Sequence, residues 1–218
     1  MTLPPSYGWY TRGGRLRVPY EAPRGRRVNA VGAYFTHGPL AGRLLHQSWA
    51  SLPRRRPLSR APGRPQGRRK TPQEVAAAHG LTEHGLTEGQ VGPIDGARLV
   101  AFVWRAAGRP ADAPRGWKRE RPLVIVLDNY SVHRGQVVRE ALPALAAADV
   151  FVLYLPPYCP ELSGIEPVWR DVKGHQMPTR SFDQVAPLKR AADEALTRKA
   201  AQLWEVRGKP TNLDHKAT

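Results

Sequence analysis

"RPLVIVLDNYSVHRG" occupies residues 121–135, and its reading decides the fold. Val124, Ile125, Val126 and Leu127 form a continuous β-branched and aliphatic run, the pattern of a strand buried on both faces. A charge has no place inside such a strand. Asp128 stands where the run stops, at the carboxyl end, and open α/β sheets place their ligands there. The same residues have a plainer reading, in which Asp128 and Asn129 form a turn that caps the following helix. His133, five positions after the carboxylate, is either a site residue or a helix-start histidine with a structural hydrogen bond.

The flanking sequence supplies the rest of the unit. "GQVVREALPALAAAD" (135–149) sets Val137, Val138, Ala141, Leu142 and Leu145 on one helical face, with Pro143 expected to interrupt or kink it. "VFVLYLP" (150–156) reads as a second buried strand. Strand, helix and strand over 122–156 make a βαβ unit, so the two strands are expected to be parallel neighbours. Upstream, "YGWYTRGGRLRVPYE" (7–21) reads as a hairpin around Gly13-Gly14, and 27–36 and 42–48 as two more strands turning at Gly38-Pro39. "TPQEVAAAHG" (71–80) reads as a helix with Thr71 as N-cap, and "DGARLVAFVWRAAG" (95–108) as another. "SFDQVAPLKRAADEALTRKAAQLW" (181–204) is a closing helix, with Ser181 and Gln184 resembling a capping box and Pro187 delaying its regular part. No internal repeat is visible. Antiparallel strands followed by a parallel βαβ unit are the order of a ribonuclease-H-like fold, although periodicity alone does not separate it from other mixed α/β folds.

Composition narrows the partners. The chain has 218 residues, 41% of them hydrophobic, enough for one domain with a long excursion. Lys plus Arg number 34 against 18 Asp plus Glu, a formal charge of +16. A soluble protein this basic usually meets a polyanion. The charge gathers in two blocks, 11–27 with six arginines against Glu21, and 53–70 with eight basic residues and no acid. The second block is rich in proline and glycine and has no hydrophobic period, so it reads as a flexible basic insertion at about 52–72. Solubility alone is the plainer account of both blocks; their concentration favours phosphate contact. A single cysteine, Cys159, excludes an internal disulfide framework and fits a reducing cytoplasm. No stretch is apolar enough to span a bilayer and "MTLPPSYGWY" is no signal peptide, so an intracellular protein is expected.

The second informative stretch is "LPPYCPELSGIEPVWRDVKGH" (155–175). It leaves the second strand through Pro156-Pro157 and enters a short helix near Ile165, with Glu166 in its first turn. Ser163 to Glu166 fits an S-x-x-E capping box, in which the glutamate only closes the helix start. Pro167 argues against this: at the first helical position it would make Glu166 the cap and turn its carboxylate outward. The βαβ crossover brings the end of one strand beside the end of the next, so Asp128 and Glu166 could meet at one sheet edge. Hard divalent cations are held by one or two carboxylates plus substrate phosphates, which suits phosphoryl transfer.

"VIVLDNYSVHRG" followed by "LYLPPYCPELSGIEPVWRDVKGH" resembles the second half of a DDE transposase from the bacterial insertion-sequence branch related to the mariner elements. "SYGWYTRGGRLRVPYEAPRGRRVNAVGAYF" resembles that family's hairpin, and the likeness is weakest over 50–118. The resemblance implies a ribonuclease-H-like mixed sheet with flanking helices over 1–218. It maps the aspartate of the family's D-N-x-x-x-H segment onto Asp128 and the glutamate of its second segment onto Glu166. In intact relatives it implies two Mg²⁺ or Mn²⁺ ions held by three carboxylates, which perform cleavage and strand transfer on transposon ends and target DNA. Two departures stand out. Ser163-Gly164 replaces the family's Asn-Pro before Ile-Glu. The family's first aspartate, its first strand and its helix-turn-helix region lie before the segment matching "PPSYGW", where this chain begins, and no Asp precedes Asp95.

The expectation is therefore an N-terminally truncated catalytic domain lacking its first strand, inactive alone, cytoplasmic and nucleoid-associated. An upstream polypeptide would be its partner for the missing strand. The alternatives are a non-enzymatic basic remnant that binds DNA, and a cellular nuclease of the same fold. Asp128 and Glu166 are expected within roughly 4–8 Å, close enough to share an ion. Asn129, His133 and Lys173 are the further candidates for DNA or site contacts, Lys173 because it follows Glu166 by about two helical turns. A solvated lysine is the equal alternative there. Trp169 is read as core rather than base-stacking, and Cys159 has no histidine partner in its motif and no catalytic role.

Overall fold

The computed structural model describes residues 27–51, 85–156, 159–178, 182 and 184–208. The expected hairpin at 7–21, the helix at 71–80, Ser181 and nearly all of both basic blocks lie outside them. Among the described residues the architecture is mixed α/β, in two two-stranded sheets. β1 (Arg27–Tyr34) pairs with β2 (Leu44–Ser51), α1 spans Gly96–Ala106, and β3 (Leu123–Leu127) pairs with β4 (Val150–Tyr154) across α2 (Gln136–Ala147). A short α3 (Glu166–Asp171) runs into a π-helical turn, Val172–Gln176, and α4 covers Val185–Gly208. None of the described helices is long and apolar enough to cross a membrane.

Chain contacts divide the protein into two compact units. One comprises Met1–Asn29, Ser48–Pro93 and Met177–Glu194; the other comprises Ala30–Gln47, Ile94–Gln176 and Ala195–Thr218. The first has small apolar clusters, Ala50, Leu86 and Ala186 in one, and Phe182, Leu188 and Ala191 in another. It also buries a charge. Lys189 is 6% exposed and is neutralised by Asp193 at 2.6 Å, which in turn accepts a hydrogen bond from the Ser48 hydroxyl. A buried ammonium without that carboxylate would carry an uncompensated desolvation cost.

The second unit holds the larger core. Leu99, Val103 and Ala107 meet Val138, Leu145, Ala148 and Val150, with Leu123, Ile125 and Val152 packed against them. α1 begins where Asp95 accepts the Arg98 N–H at 2.9 Å, an N-cap that satisfies an otherwise orphaned donor. α2 ends at Ala148 and turns through Asp149, held at φ 58°, a left-handed conformation that aspartate tolerates better than most residues. Pro143 does not interrupt α2. It lies exposed, as does Arg139, so water can serve the carbonyl that the missing N–H leaves free. Val137, expected on the buried face, is 48% exposed. The loop between β1 and β2 closes through Phe35 N–H to Arg43 O and Gly42 N–H to Phe35 O, and Gly38 supplies a positive φ of 77°.

β3 and β4 are parallel and in register from Leu123 beside Val150 to Leu127 beside Tyr154, as a βαβ crossover requires. They are not buried on both faces. Leu123, Ile125, Val150 and Val152 point into the core, whereas Val124, Val126, Phe151 and Leu153 are 52%, 53%, 43% and 57% exposed. Strand side chains alternate, and α1 and α2 cover one face only among the described residues.

Candidate active site

The site forms where β3 and β4 end. Leu155 N–H continues the ladder to Leu127 O at 2.8 Å, and the Asn129 side-chain amide donates to Leu155 O. Asn129 thus ties the two strand ends together directly beside Asp128. Its Oδ1 is buried with no donor among the described residues, an acceptor that a water or a ligand group could satisfy.

Asp128, Asn129 and Glu166 line one cavity of about 280 Å³, together with Tyr130, Leu155 and Pro156. Cys159 and Ser163 complete the wall. The Asp128 carboxylate is more than half exposed. Its Oδ1 takes the Tyr130 backbone N–H at 3.0 Å and lies 2.6 Å from His133 Nδ1. The Asx turn is therefore real, and it orients the carboxylate without burying it. His133 sits in a 3₁₀ turn, Ser131–Arg134, whose backbone is anchored by the Tyr154 hydroxyl donating to His133 O at 2.9 Å.

Glu166 reaches the cavity differently from the sequence reading. Ile165 is the cap, Glu166 is the first residue of α3 and Pro167 follows it in the first turn. No side chain caps the helix, so Glu166 is not the cap expected from Pro167, and the alternative Ser163–Glu166 capping box does not form either; Glu166 N–H bonds Ser163 O. The carboxylate is left exposed, without an ion pair to any described residue. Trp169 packs under this turn: a Cβ on Gly32 would stand 2.9 Å from Trp169 Cζ2 and 3.1 Å from Ile165 Cδ1. Gly32 of β1 therefore admits the indole that supports α3, a role for which the sequence offers no local signal.

Lys173 is not among the residues lining the cavity. It falls in the π-helical turn, exposed, where the wider winding breaks the 3.6-residue spacing that would align it with Glu166. Directly before that turn stands Asp171, the last residue of α3. It meets Lys199 of α4 at 2.9 Å and His175 at 3.0 Å. The Lys199 hydrogen bond, against a smaller opposing effect of burial, holds the Asp171 carboxyl below its ordinary range.

Chemically, two carboxylates open on one cavity in a chain of charge +16, and no Lys or Arg among the described residues neutralises either. Oxygen donors of this kind suit a hard divalent cation. No group of three or more His, Cys, Asp or Glu able to hold a metal occurs among the described residues. Asp128 and Glu166 thus fit part of a metal site.

No curated protein and no solved structure matches the chain. The model of the DDE superfamily endonuclease family matches residues 63–189, more than half of the sequence and the whole of the cavity. Domains of this family act on DNA and generally use divalent metals. With the strand ends, the paired carboxylates and this match together, the chain belongs to the DDE superfamily endonucleases.

Proposed function

We propose that the chain is a transposase catalytic domain of the insertion-sequence type, cutting DNA strands and joining them to a target. The observation that carries this is the convergence of Asp128 and Glu166, from the ends of two successive structural segments, on one cavity within the family match. Asp128 and Glu166 would hold Mg²⁺ or Mn²⁺; such an ion supplies Lewis-acid activation of a phosphodiester and of the attacking oxygen. His133 and the Tyr130 N–H fix Asp128 Oδ1 and leave the other oxygen to a ligand. Asn129 holds the strand ends in register. The parallel β3–β4 pair joined through α2 is compatible with a ribonuclease-H-like sheet. We place the protein in the cytoplasm, on the nucleoid.

Among the described residues two carboxylates line the cavity, so turnover by the chain alone is proposed to be low, with an upstream segment supplying the third ligand. A supercoiled-plasmid nicking assay with Mn²⁺ tests the reading, with Asp128→Asn as the control for contaminating nuclease. Asp128-dependent nicking that rises when the upstream segment is added supports it; nicking identical in wild type and Asp128→Asn counts against it. The incomplete metal cluster among the described residues favours a second reading, a DNA-binding remnant without turnover. The same assay separates the two, because the remnant shows salt-dependent DNA binding with no Asp128-dependent cut under either condition.

A further inference from the structure

The cavity at the ends of β3 and β4 has a wall that a cation does not explain. Besides the carboxylates, Tyr130, Leu155 and Pro156 line it. Tyr130 is 58% exposed, so it is no core residue, yet it is the largest side chain on this wall. Its backbone N–H is fastened to Asp128 Oδ1, and its ring stands edge-to-face on His133, centroids 5.9 Å apart at 77°. His133 itself holds Asp128. The ring is therefore kept beside the carboxylate while more than half of the residue faces solvent. The described packing leaves that much of Tyr130 available to a ligand of the cavity.

We propose that Tyr130 is a stacking platform for an unpaired nucleobase, next to the phosphodiester that Asp128 and Glu166 address; this rests on the DNA-cleaving reading of the same site. A nucleotide has the same two halves as the cavity. Its phosphate suits the carboxylate side through a bridging cation, and its base suits an aromatic and apolar wall. A base inside a duplex has both faces covered by its neighbours, so only a flipped, frayed or single-stranded base can meet the ring. The volume of about 280 Å³ lies at the small end of ligand pockets, a size for part of one nucleotide and not for a duplex.

The test is equilibrium binding of the full 218-residue chain to a labelled single strand and to the duplex of the same sequence. Ca²⁺ is present as the bridging cation, and the strands are checked on a gel to be uncut. Tyr130→Ala and Tyr130→Leu are expected to weaken single-strand binding roughly five- to hundredfold, the loss of one stacked base. Tyr130→Phe keeps single-strand affinity within about twofold, and duplex affinity in all variants stays within about twofold, as for a neutral surface change. An abasic single strand should bind wild type as weakly as the normal strand binds Tyr130→Ala. Equal affinities of wild type and Tyr130→Ala for the single strand overturn the proposal, as does an equal loss on strand and duplex. In either case retained wild-type duplex binding leaves the DNA reading standing. A wild-type chain that binds neither form overturns both.

Discussion

Asp128 has two oxygens in different surroundings. Oδ1 accepts from a backbone N–H and from His133, while Oδ2 has no partner among the described residues. One oxygen is used for orientation and the other is available for ligand, the arrangement in which an outer partner tunes a metal-binding carboxylate. Asp128→Asn removes the charge but keeps the turn, so it should reduce Mn²⁺-dependent nicking to background. His133→Ala should weaken Mn²⁺ binding, read by titration calorimetry, roughly 10- to 100-fold, as loss of an outer partner does. Unchanged binding in His133→Ala would show that the contact is only a helix-start hydrogen bond. Asp128 was legible because an apolar run that ends on a charge is a local pattern. Tyr130 stands two residues on, but its exposure and its place on the cavity wall depend on the course of the 155–166 segment, which no local pattern specifies.

At the scale of elements, α3 depends on what lies beneath and behind it. Beneath is Gly32, whose lack of a side chain leaves room for Trp169. Gly32→Ala would force a Cβ to 2.9 Å from the indole, so it should destabilise the fold by about 1–3 kcal/mol, the usual cost of overpacking. The drop in Tm measures it, and a Tm equal to wild type would show that Trp169 moves freely. Behind α3 is the Asp171–Lys199 pair to α4. The folded pKa of Asp171 lies below its ordinary value of 3.8, so the unfolded chain takes up its proton first as pH falls. The stabilisation is thus fully present above the ordinary value and disappears as pH drops through the lowered one. Lys199→Met should cost about 0.5–1 kcal/mol at neutral pH, modest because the Asp171 side chain is 30% exposed, and nothing in strong acid. A Tm difference that persists unchanged into strong acid would assign the effect to packing. Helix existence and the βαβ order were legible here because each element is long enough to show its period. The π-helical turn was not, since the sequence of 172–176 reads equally well as α-helix, and with it went the alignment of Lys173.

The whole molecule combines a charge of +16 with an apolar sheet face that the described residues leave open. The charge predicts DNA affinity falling steeply as log salt rises, by about one unit of slope per phosphate neutralised. A flat salt response would show that the basic residues serve solubility only. The apolar face is where the sequence misled. A run such as Val124–Leu127 is equally apolar whether helices lie on both sides or on one, because hydrophobicity records what a residue can bury, not what covers it. Val124 and Val126 stand in register beside Phe151 and Leu153, so the four side chains form one contiguous patch, and an uncovered patch of this kind promotes self-association. Replacing Val126 and Leu153 by threonine puts a β-branched strand former at both positions and removes much of that surface. The double variant should bind less hydrophobic dye and stay monomeric at concentrations where wild type associates, as read by light scattering. Because both side chains are more than half exposed, its unfolding free energy should stay within about 0.5 kcal/mol of wild type, the range for surface changes. A Tm lower by several degrees, with dye binding unchanged, would mean that the face is already covered in solution and that its valines and leucine are core.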